Sequence, residues 1–242
     1  MEVKPNINSD KGKKEQVKEM FDNIAFKYDF LNHFLSLGID KSWRKKVCKI
    51  IQSTEGNKLL DIATGTGDLA IEIAKFDTKP IHITGVDISE KMLEIGKEKV
   101  AKAKLGHVIT LESGDSEELK YDDHSFDFIT ASFGVRNFEC LDKGLAEMHR
   151  VLKKGAKVVI LEFGMPTSIF FKPLYILYFK AVLPFIGKLF SKSSSAYSYL
   201  PSSVEAFPYG KDFLNHLTKL GFKDAKEHRL SMGIASIYVA TK

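Results

Sequence analysis

The sequence has few cysteines, and this limits the chemistry that it can support. Cys48 and Cys140 are the only two in 242 residues, and they lie far apart without the spacing of a metal-binding pair. We therefore expect reduced thiols, as in a cytoplasmic protein, rather than a disulfide framework. The seven histidines form no H-x-x-x-H or histidine–carboxylate cluster, so we expect no metal site.

Long apolar runs are also missing. No stretch reaches the roughly 18 apolar residues of a transmembrane helix, and the polar N-terminus lacks the apolar core of a signal peptide. No G-K-[ST] phosphate loop and no G-x-S-x-G hydrolase elbow is present. The net charge of +5 is too small to indicate nucleic-acid binding. We expect a cytoplasmic enzyme, attracted weakly to the inner face of the membrane and peripheral to it.

One stretch, Leu59 to Ala70, has the pattern of a strand, a tight turn and a helix. Apolar residues lead into Asp61, Gly65 and Gly67 follow, and a helical pattern begins at Asp68. Glycine permits close backbone approach in such a turn. The first N–H groups of the helix remain free to bind a polar ligand there.

The same stretch is ambiguous between two kinds of cofactor. Gly65-x-Gly67-x-x-Ala70 fits the dinucleotide fingerprint, and Asp87 follows at about the expected 20 residues. However, the carboxylates of Asp61 and Asp68 would repel a pyrophosphate at the helix start. They suit a cationic adenosine ligand, and S-adenosylmethionine carries an ammonium and a sulfonium. Asp68 is equally interpreted as an ordinary helix-start residue.

Strand and helix patterns alternate from Lys58 to Phe163, which is typical of parallel strands with helical crossovers. The fold class is therefore α/β, with a Rossmann-like seven-stranded sheet that is mostly parallel and ends in an antiparallel hairpin. We interpret Lys153-Lys154-Gly155 as the basic end of a helix and its glycine stop. Strands are predicted over 58–63, 81–87, 108–112, 126–132, 157–163, 222–230 and 234–241, and helices over 68–75, 89–103, 139–152 and 209–220.

The N-terminal part predicts helices in front of this sheet. Residues 1–14 are polar and are expected to be flexible, and residues 15–242 form a single domain. Helical periodicity runs over 15–52 and is interrupted at Gly38.

A second helical segment is predicted after the fifth strand. Ile169 to Phe190 is rich in aromatic and aliphatic residues, yet lysines and prolines interrupt it. It is too interrupted to span a bilayer and too apolar for a free surface helix. We expect a helical insertion over 168–207 that covers an apolar substrate.

Polar residues follow the second and third predicted strands. Asp87 could accept hydrogen bonds from both ribose hydroxyls of an adenosine ligand. Asp115 could accept from the exocyclic amine of adenine, and the N–H of Ser116 could donate to a ring nitrogen. The alternative interpretation of each is an ordinary cap or turn residue.

Four stretches resemble the menaquinone/ubiquinone biosynthesis C-methyltransferases, a family of class I S-adenosylmethionine-dependent methyltransferases. Their positions span nearly the whole chain beyond residue 15, and Ser-Phe-Gly-Val-Arg-Asn is the most specific. Ala63 stands where most methyltransferases have the first of three glycines. The stretches are Phe21–Asp29, Asp61–Asp68, Ser132–Asn137 and Tyr197–Pro201.

The resemblance implies methylation of the ring of 2-demethylmenaquinol to give menaquinol, with S-adenosylmethionine as methyl donor and no metal. Asp87 and Asp115 are candidates from the residues alone, whereas Ser132 comes from the resemblance. With the glycine turn included, the expected cofactor-binding residues are Asp61, Gly65, Thr66, Gly67, Asp87, Asp115, Ser116 and Ser132.

Methylation of a ring carbon requires alignment, a proton acceptor and stabilisation of phenolate charge. We expect Arg136 to stabilise that charge or to hold a basic water, and Asn137 to orient the hydroxyl. The expected substrate-binding residues are Tyr28, Asp29, Tyr197 and Tyr199.

Other functions remain open at this point. The glycine spacing also fits a nicotinamide-dependent oxidoreductase, and the fold could serve a non-catalytic lipid-binding or assembly protein. A methyltransferase for a ubiquinone precursor or another prenylated phenol is the nearest alternative. The expected partners are a prenylated quinol, the membrane surface and a second copy in a homodimer, without nucleic acid.

Overall fold

The computed structural model describes residues 3–36, 38–76, 81–166, 168–178 and 194–242. In this part of the chain seven strands form one sheet, in the order β3-β2-β1-β4-β5-β7-β6. The strands are β1 (Lys58–Ile62), β2 (His82–Asp87), β3 (Ile109–Ser113), β4 (Phe126–Ser132), β5 (Leu152–Phe163), β6 (Lys223–Leu230) and β7 (Ala235–Thr241).

The sheet is mostly parallel. β1 pairs in parallel with both β2 and β4, and the outer pairs β2–β3 and β4–β5 are also parallel. β7 lies antiparallel between β5 and β6. The predicted fold class is confirmed. The strand order reverses between β1 and β4, and ligands of open α/β sheets bind at the carboxyl ends of strands beside such a reversal.

Helices cover both faces of the sheet and its carboxyl edge. Gly38 immediately precedes α2 with φ of 74°, a left-handed conformation that glycine adopts without strain, so the predicted break in the N-terminal helices is confirmed. The helices are α1 (Lys13–Leu35), α2 (Ile39–Gln52), α3 (Asp68–Phe76), α4 (Glu90–Lys102), α5 (Leu141–Val151), α6 (Phe171–Leu177), α7 (Ser194–Ala206) and α8 (Lys211–Lys219).

The core lies in two layers, one on each face of the sheet. Leu59 of β1 faces α2, α3 and α4, whereas its neighbour Leu60 faces α5 and α8. The alternation follows from the strand period of two, and each fully buried leucine contributes roughly 1.5–3 kcal/mol. A third, smaller cluster joins α1 to α6 and α7 through Val17, Met20 and Tyr175. This cluster holds α1 across the carboxyl edge of the sheet.

The prediction of a helix end at Lys153-Lys154-Gly155 is wrong. α5 ends at Val151, and these residues lie inside β5, where the N–H of Gly155 donates to the carbonyl oxygen of Lys242 at 3.0 Å. Pairing with a distant part of the chain therefore overrides a local helix-end signal.

The predicted insertion is described in part. α6 and α7 lie within it, whereas residues 179–193 of the predicted segment lie outside the described residues. None of the described helices is long and apolar enough to cross a membrane.

Candidate active site

A cleft opens at the carboxyl ends of β1 to β4, beneath α1. It encloses about 640 Å³ of empty space, open solvent at its mouth included. Val17 and Phe21 of α1 form part of its apolar wall. The predicted site residues that line it are Tyr28, Gly65, Asp87, Asp115, Ser116, Ser132 and Asn137.

The glycine turn brings the backbone of β1 close to the cleft. Gly65 and Gly67 have φ of 57° and 75°, and Ala63 adopts 52° in spite of its side chain. A Cβ on Gly134 would lie 2.5 Å from the Cβ of Ala63, so the turn after β4 needs glycine to pass the turn after β1. Gly65 lines the cleft, whereas Gly67 packs towards Leu111 behind it.

Asp87 holds the glycine turn at the end of β2. Its carboxylate accepts from the N–H of Gly65 at 2.8 Å and from the N–H of Ser89 at 2.9 Å. Burial raises the pKa of Asp87, and these backbone donors oppose the rise. Each carboxylate oxygen has a further lone pair, so Asp87 can still accept from a ligand.

Asp61 does not face the cleft. Its side chain is buried and accepts from the hydroxyls of Thr64 and Thr130, both at 2.6 Å. Burial raises the pKa of Asp61 to about 6, against the two hydroxyl donors. In this structure Asp61 joins the end of β1 to β4 and to the glycine turn.

Asp68 is paired within the protein as well. Lys99 of α4 lies 2.5 Å from one carboxylate oxygen of Asp68, and Arg44 lies 3.4 Å from the other. Protein groups therefore pair with the carboxylates of both Asp61 and Asp68, the two that the sequence predicts beside a cationic ligand.

Asp29 and Thr66 contact each other behind the cleft. The hydroxyl of Thr66 donates to Asp29 at 2.6 Å, and Lys99 donates to the other oxygen of Asp29 at 2.5 Å. Among the described residues, neither Asp29 nor Thr66 lines the cleft. The contact ties α1 to the glycine turn.

Lys14 is a cleft residue that the sequence analysis missed. Its ammonium lies 2.7 Å from Asp115, which also accepts from the N–H of Glu117 at 2.8 Å. Helical periodicity places Lys14 on the same face as Val17 and Phe21, three and seven residues on. That periodicity could have identified it if the predicted helix had begun earlier.

The turn after β4 carries the predicted site residues Asn137 and Arg136, and Asn137 is the one that lines the cleft. Phe133 has φ of 57°, and its carbonyl oxygen accepts from the side-chain amide of Asn137 at 3.5 Å. Asn137 is 8% exposed, and its amide oxygen has no hydrogen-bond partner in the described part of the chain. An unsatisfied buried acceptor beside a cleft is a place for a ligand donor.

Arg136 is directed into the protein. One guanidinium nitrogen lies 2.9 Å from Glu162 and also donates to the carbonyl oxygen of Phe133. The guanidinium also stands 5.3 Å from the ring centre of Phe163. Arg136 is not among the described side chains that line the cleft. Its charge still lowers the pKa of Tyr28, although burial raises that pKa overall.

The predicted substrate-binding tyrosines occupy different surroundings. Tyr28 lines the cleft and meets the ring of Phe21 edge-on at 5.7 Å. Tyr199 is buried in the cluster that joins α1 to α7. The side chain of Tyr197 lies outside the described part of the structure. Within that part, no cluster of three or more histidine, cysteine, aspartate or glutamate side chains could hold a metal ion.

Comparison with known proteins identifies the family. A sequence profile described as the ubiE/COQ5 methyltransferase family matches residues 9–242. The chain belongs to the ubiE/COQ5 methyltransferase family. The cleft therefore lies where a methyltransferase of the α/β class binds its ligands, at the carboxyl edge of the sheet.

Relatives of this methyltransferase match over nearly their full length. Demethylmenaquinone methyltransferase from Bacteroides fragilis is 48% identical over 240 residues, which covers 99% of this chain and 97% of that protein. Ubiquinone/menaquinone biosynthesis C-methyltransferase UbiE from Geobacter sp. (strain M21) is 49% identical over 234 residues, covering 97% of this chain and 98% of that protein.

Solved structures share the fold of this methyltransferase. Phosphoethanolamine N-methyltransferase 2 from Haemonchus contortus, in complex with S-adenosyl-L-methionine, has a TM-score of 0.69 and 17% identity, covering 96% of this chain and 60% of that one. A SAM-dependent methyltransferase from Aquifex aeolicus has a TM-score of 0.59 and 19% identity, covering 81% of this chain and 88% of that one.

Proposed function

We propose that this methyltransferase transfers a methyl group from S-adenosylmethionine to a ring carbon of 2-demethylmenaquinol, giving menaquinol. The observation that carries the proposal is the 48% identity, over 99% of the chain, to a protein named demethylmenaquinone methyltransferase. The cleft adds a physical argument, because polar groups suited to a nucleoside and apolar groups suited to a ring line the same space.

The residues of the cleft fit S-adenosylmethionine, which supplies an electrophilic methyl group on its sulfonium. Asp87 would accept from the ribose hydroxyls, and Asp115 from the exocyclic amine of adenine. Ser116 and Ser132 offer further polar contacts along the same edge, and Gly65 allows close approach to the backbone. Asp61, Thr66 and Gly67 would act from behind this first layer by holding the turn.

Two residues of the turn after β4 would serve the quinol. The amide oxygen of Asn137, which has no partner in the described part of the chain, would accept from a ring hydroxyl and orient it. The positive charge of Arg136 would favour loss of the hydroxyl proton, which makes the neighbouring ring carbon nucleophilic. The Nε of Arg136 is buried without a partner in the described residues, so it could also hold a water. Tyr28 would form part of the ring-binding wall.

Apolar side chains are exposed at the surface of both α6 and α1, where a prenyl tail and a membrane would meet the protein. Phe170 is 93% exposed at the start of α6, and Leu174 and Leu177 follow on that helix. Phe26 and Phe30 are exposed one helical turn apart on α1. We propose that this surface contacts the membrane peripherally from the cytoplasmic side. A homodimer stays a prediction, which sedimentation would test.

A methyl-transfer assay tests the proposed function. The purified protein is given S-adenosylmethionine and, in separate reactions, demethylmenaquinol, a ubiquinol precursor or a non-quinone phenol, and products are identified by mass spectrometry. We expect a mass gain of one methylene on demethylmenaquinol. The Geobacter relative is named for ubiquinone as well as menaquinone biosynthesis, so the ubiquinol precursor is the second candidate substrate. Methylation of the phenol alone, or stabilisation by NAD but not by S-adenosylmethionine, would overturn the proposal.

A further inference from the structure

Glu162 is a buried carboxylate that the proposed chemistry leaves without a task. It lies near the end of β5, next to the fully buried Leu161, and is itself 0% exposed. Moving a charge from water to such a place costs several kcal/mol unless partners compensate it. Burial accordingly raises the pKa of Glu162, and Arg136 opposes the rise.

Two of the hydrogen bonds to the carboxylate of Glu162 come from Arg136, in the turn after β4. One carboxylate oxygen accepts from the guanidinium of Arg136 at 2.9 Å and from the N–H of Phe163 at 2.8 Å. The other oxygen accepts from the backbone N–H of Arg136 at 3.3 Å. Glu162 thus holds both the main chain and the side chain of Arg136.

Arg136 in turn connects Glu162 to Phe133, a residue in the wall of the cleft. The guanidinium that Glu162 holds also donates to the carbonyl oxygen of Phe133. Phe133 is in a left-handed conformation, which is strained for a residue with a side chain and persists only where the surroundings impose it. Asn137 contacts the same carbonyl oxygen with its amide nitrogen, while its amide oxygen at the cleft has no hydrogen-bond partner among the described residues.

We propose that Glu162 is a positioning residue for methyl transfer. It holds Arg136 so that the turn over residues 133–137 keeps the amide oxygen of Asn137 at the substrate, and it partly neutralises the charge of Arg136. This inference rests on the proposed function, because it assumes that the quinol occupies the cleft beside Asn137.

Substitution Glu162→Gln tests the positioning role, since glutamine keeps the size and one acceptor but not the charge. We expect kcat to fall roughly 10–100-fold, the scale of a small misplacement at an active site. Affinity for S-adenosylmethionine should stay unchanged, because Asp87 lies at the end of β2 and Asp115 in the loop after β3. The acid limb of the kcat–pH profile should move to lower pH, since an uncompensated Arg136 favours the phenolate more strongly. Amide hydrogen exchange over residues 133–138 should become faster.

Asp40→Asn is the matched control. It removes the carboxylate of another buried ion pair, in which Arg44 lies 2.6 Å from Asp40. Of the described residues, those lining the cleft include none from α2. We expect this variant to have a lower melting temperature with wild-type kcat, pH profile and exchange over residues 133–138.

Two results would overturn the positioning role. One is a folded Glu162→Gln protein with wild-type kcat, pH profile and exchange. The other is loss of rate and of S-adenosylmethionine affinity in equal proportion, in parallel with melting temperature and without a pH shift. A wild-type protein that does not methylate demethylmenaquinol would instead refute the proposed function. The exchange measurement would then still decide whether Glu162 holds the turn.

Discussion

The ammonium of Lys14 lies 2.7 Å from the carboxylate of Asp115 and joins the first turn of α1 to the loop after β3. Both side chains are about one-third exposed, so the pair itself contributes little to stability. Burial lowers the pKa of Lys14, but Asp115 and Glu117 raise it overall, and the ammonium stays charged. The pair places a cation where we propose that adenine binds.

Substitution of Asp115 should weaken cofactor binding more than substitution of Lys14. Asp115→Ala removes an acceptor for the adenine amine, and we expect a loss of roughly 1–2 kcal/mol in the binding of S-adenosylmethionine. Lys14→Ala leaves that acceptor in place and should change the affinity little. Titration calorimetry on both variants distinguishes them. Equal losses would show that Lys14, rather than Asp115 alone, contacts the ligand.

Asp87 should contribute to cofactor binding as a direct acceptor. We expect Asp87→Ala to weaken binding of S-adenosylmethionine by roughly 1.5–3 kcal/mol, the scale of hydrogen bonds to a charged group. Because Asp87 also accepts from Gly65, the melting temperature should fall slightly. Glu90→Ala, at an exposed position three residues on, is the control and should bind normally. An unchanged affinity in a folded Asp87→Ala protein would remove Asp87 from the site.

Much of this architecture was predictable because its signals are local. β4 was predicted over 126–132 and is found there, since a nearly continuous apolar run bounded by polar residues is typical of a central parallel strand. Ser89 stands at the start of the predicted helix over 89–103 and caps α4, since its hydroxyl accepts from the N–H of Met92. The glycine turn followed from residue spacing in the same way.

What could not be predicted depends on contacts between distant parts of the chain. Lys153-Lys154-Gly155 has the composition of a helix end, but the β-pairing at Gly155 depends on Lys242. Glu162 is a single carboxylate in an apolar strand, and nothing nearby in sequence indicates that Arg136 lies against it. Asp68 precedes a helix in the expected way, while its charge is compensated by Lys99, 31 residues away.

The buried carboxylate of Asp61 should make the protein less stable as the pH rises. Its pKa of about 6 in the folded protein exceeds the ordinary value of 3.8, so the folded state binds the proton more tightly than the unfolded state. The free energy of unfolding therefore falls through this group between about pH 4 and pH 6. Asp61→Asn removes that dependence. The free energy of unfolding of the variant minus that of the wild type should therefore rise by roughly 1–3 kcal/mol from pH 4 to pH 7.

Urea denaturation of both proteins at the two pH values measures this difference. Asp127→Asn is a control of opposite sign. Burial raises the pKa of Asp127, but Lys153 and two backbone N–H groups lower it overall. Asp127 therefore stabilises the fold fully above its ordinary value of 3.8 and loses that contribution below it, so its loss should matter slightly more at pH 7 than at pH 4. If Asp61→Asn shifted stability equally at both pH values, Asp61 would not be the titrating group.

The exposed apolar residues of α6 should matter for long-tailed substrates in a membrane. We expect replacement of Phe170, Leu174 and Leu177 by serine to reduce turnover of a long-tailed quinol in vesicles by roughly tenfold, since each loses apolar area available to lipid. A tailless soluble analogue should be methylated at the wild-type rate. Ile7→Ser, at a position 73% exposed on another part of the chain, is the control. Equal loss on both substrates would indicate that α6 serves packing instead.

Arg136 should affect catalysis much more than cofactor binding. It stands just after β4, and Glu162 neutralises its charge only in part, so the remaining charge can stabilise a developing phenolate. Arg136→Ala would leave the buried Glu162 unpaired, which destabilises a protein by about 3–5 kcal/mol. Arg136→Lys is therefore the sharper test, because it keeps the charge but replaces the planar guanidinium, one nitrogen of which donates to both Glu162 and Phe133. We expect kcat to fall by roughly 10²–10³, as when an oxyanion donor is removed.

The affinity of the Arg136→Lys protein for S-adenosylmethionine separates this role from a general loss of structure. Calorimetry should give a nearly normal affinity, because the cofactor-binding carboxylates lie on β2 and after β3, away from the turn. Both measurements should be made well below the melting temperature of the variant, so that unfolding does not contribute to the loss of rate. A near-wild-type kcat would show that the charge alone suffices and that the planar guanidinium is dispensable. If affinity fell in proportion to rate, Arg136 would act on the shape of the cleft rather than on the reacting quinol.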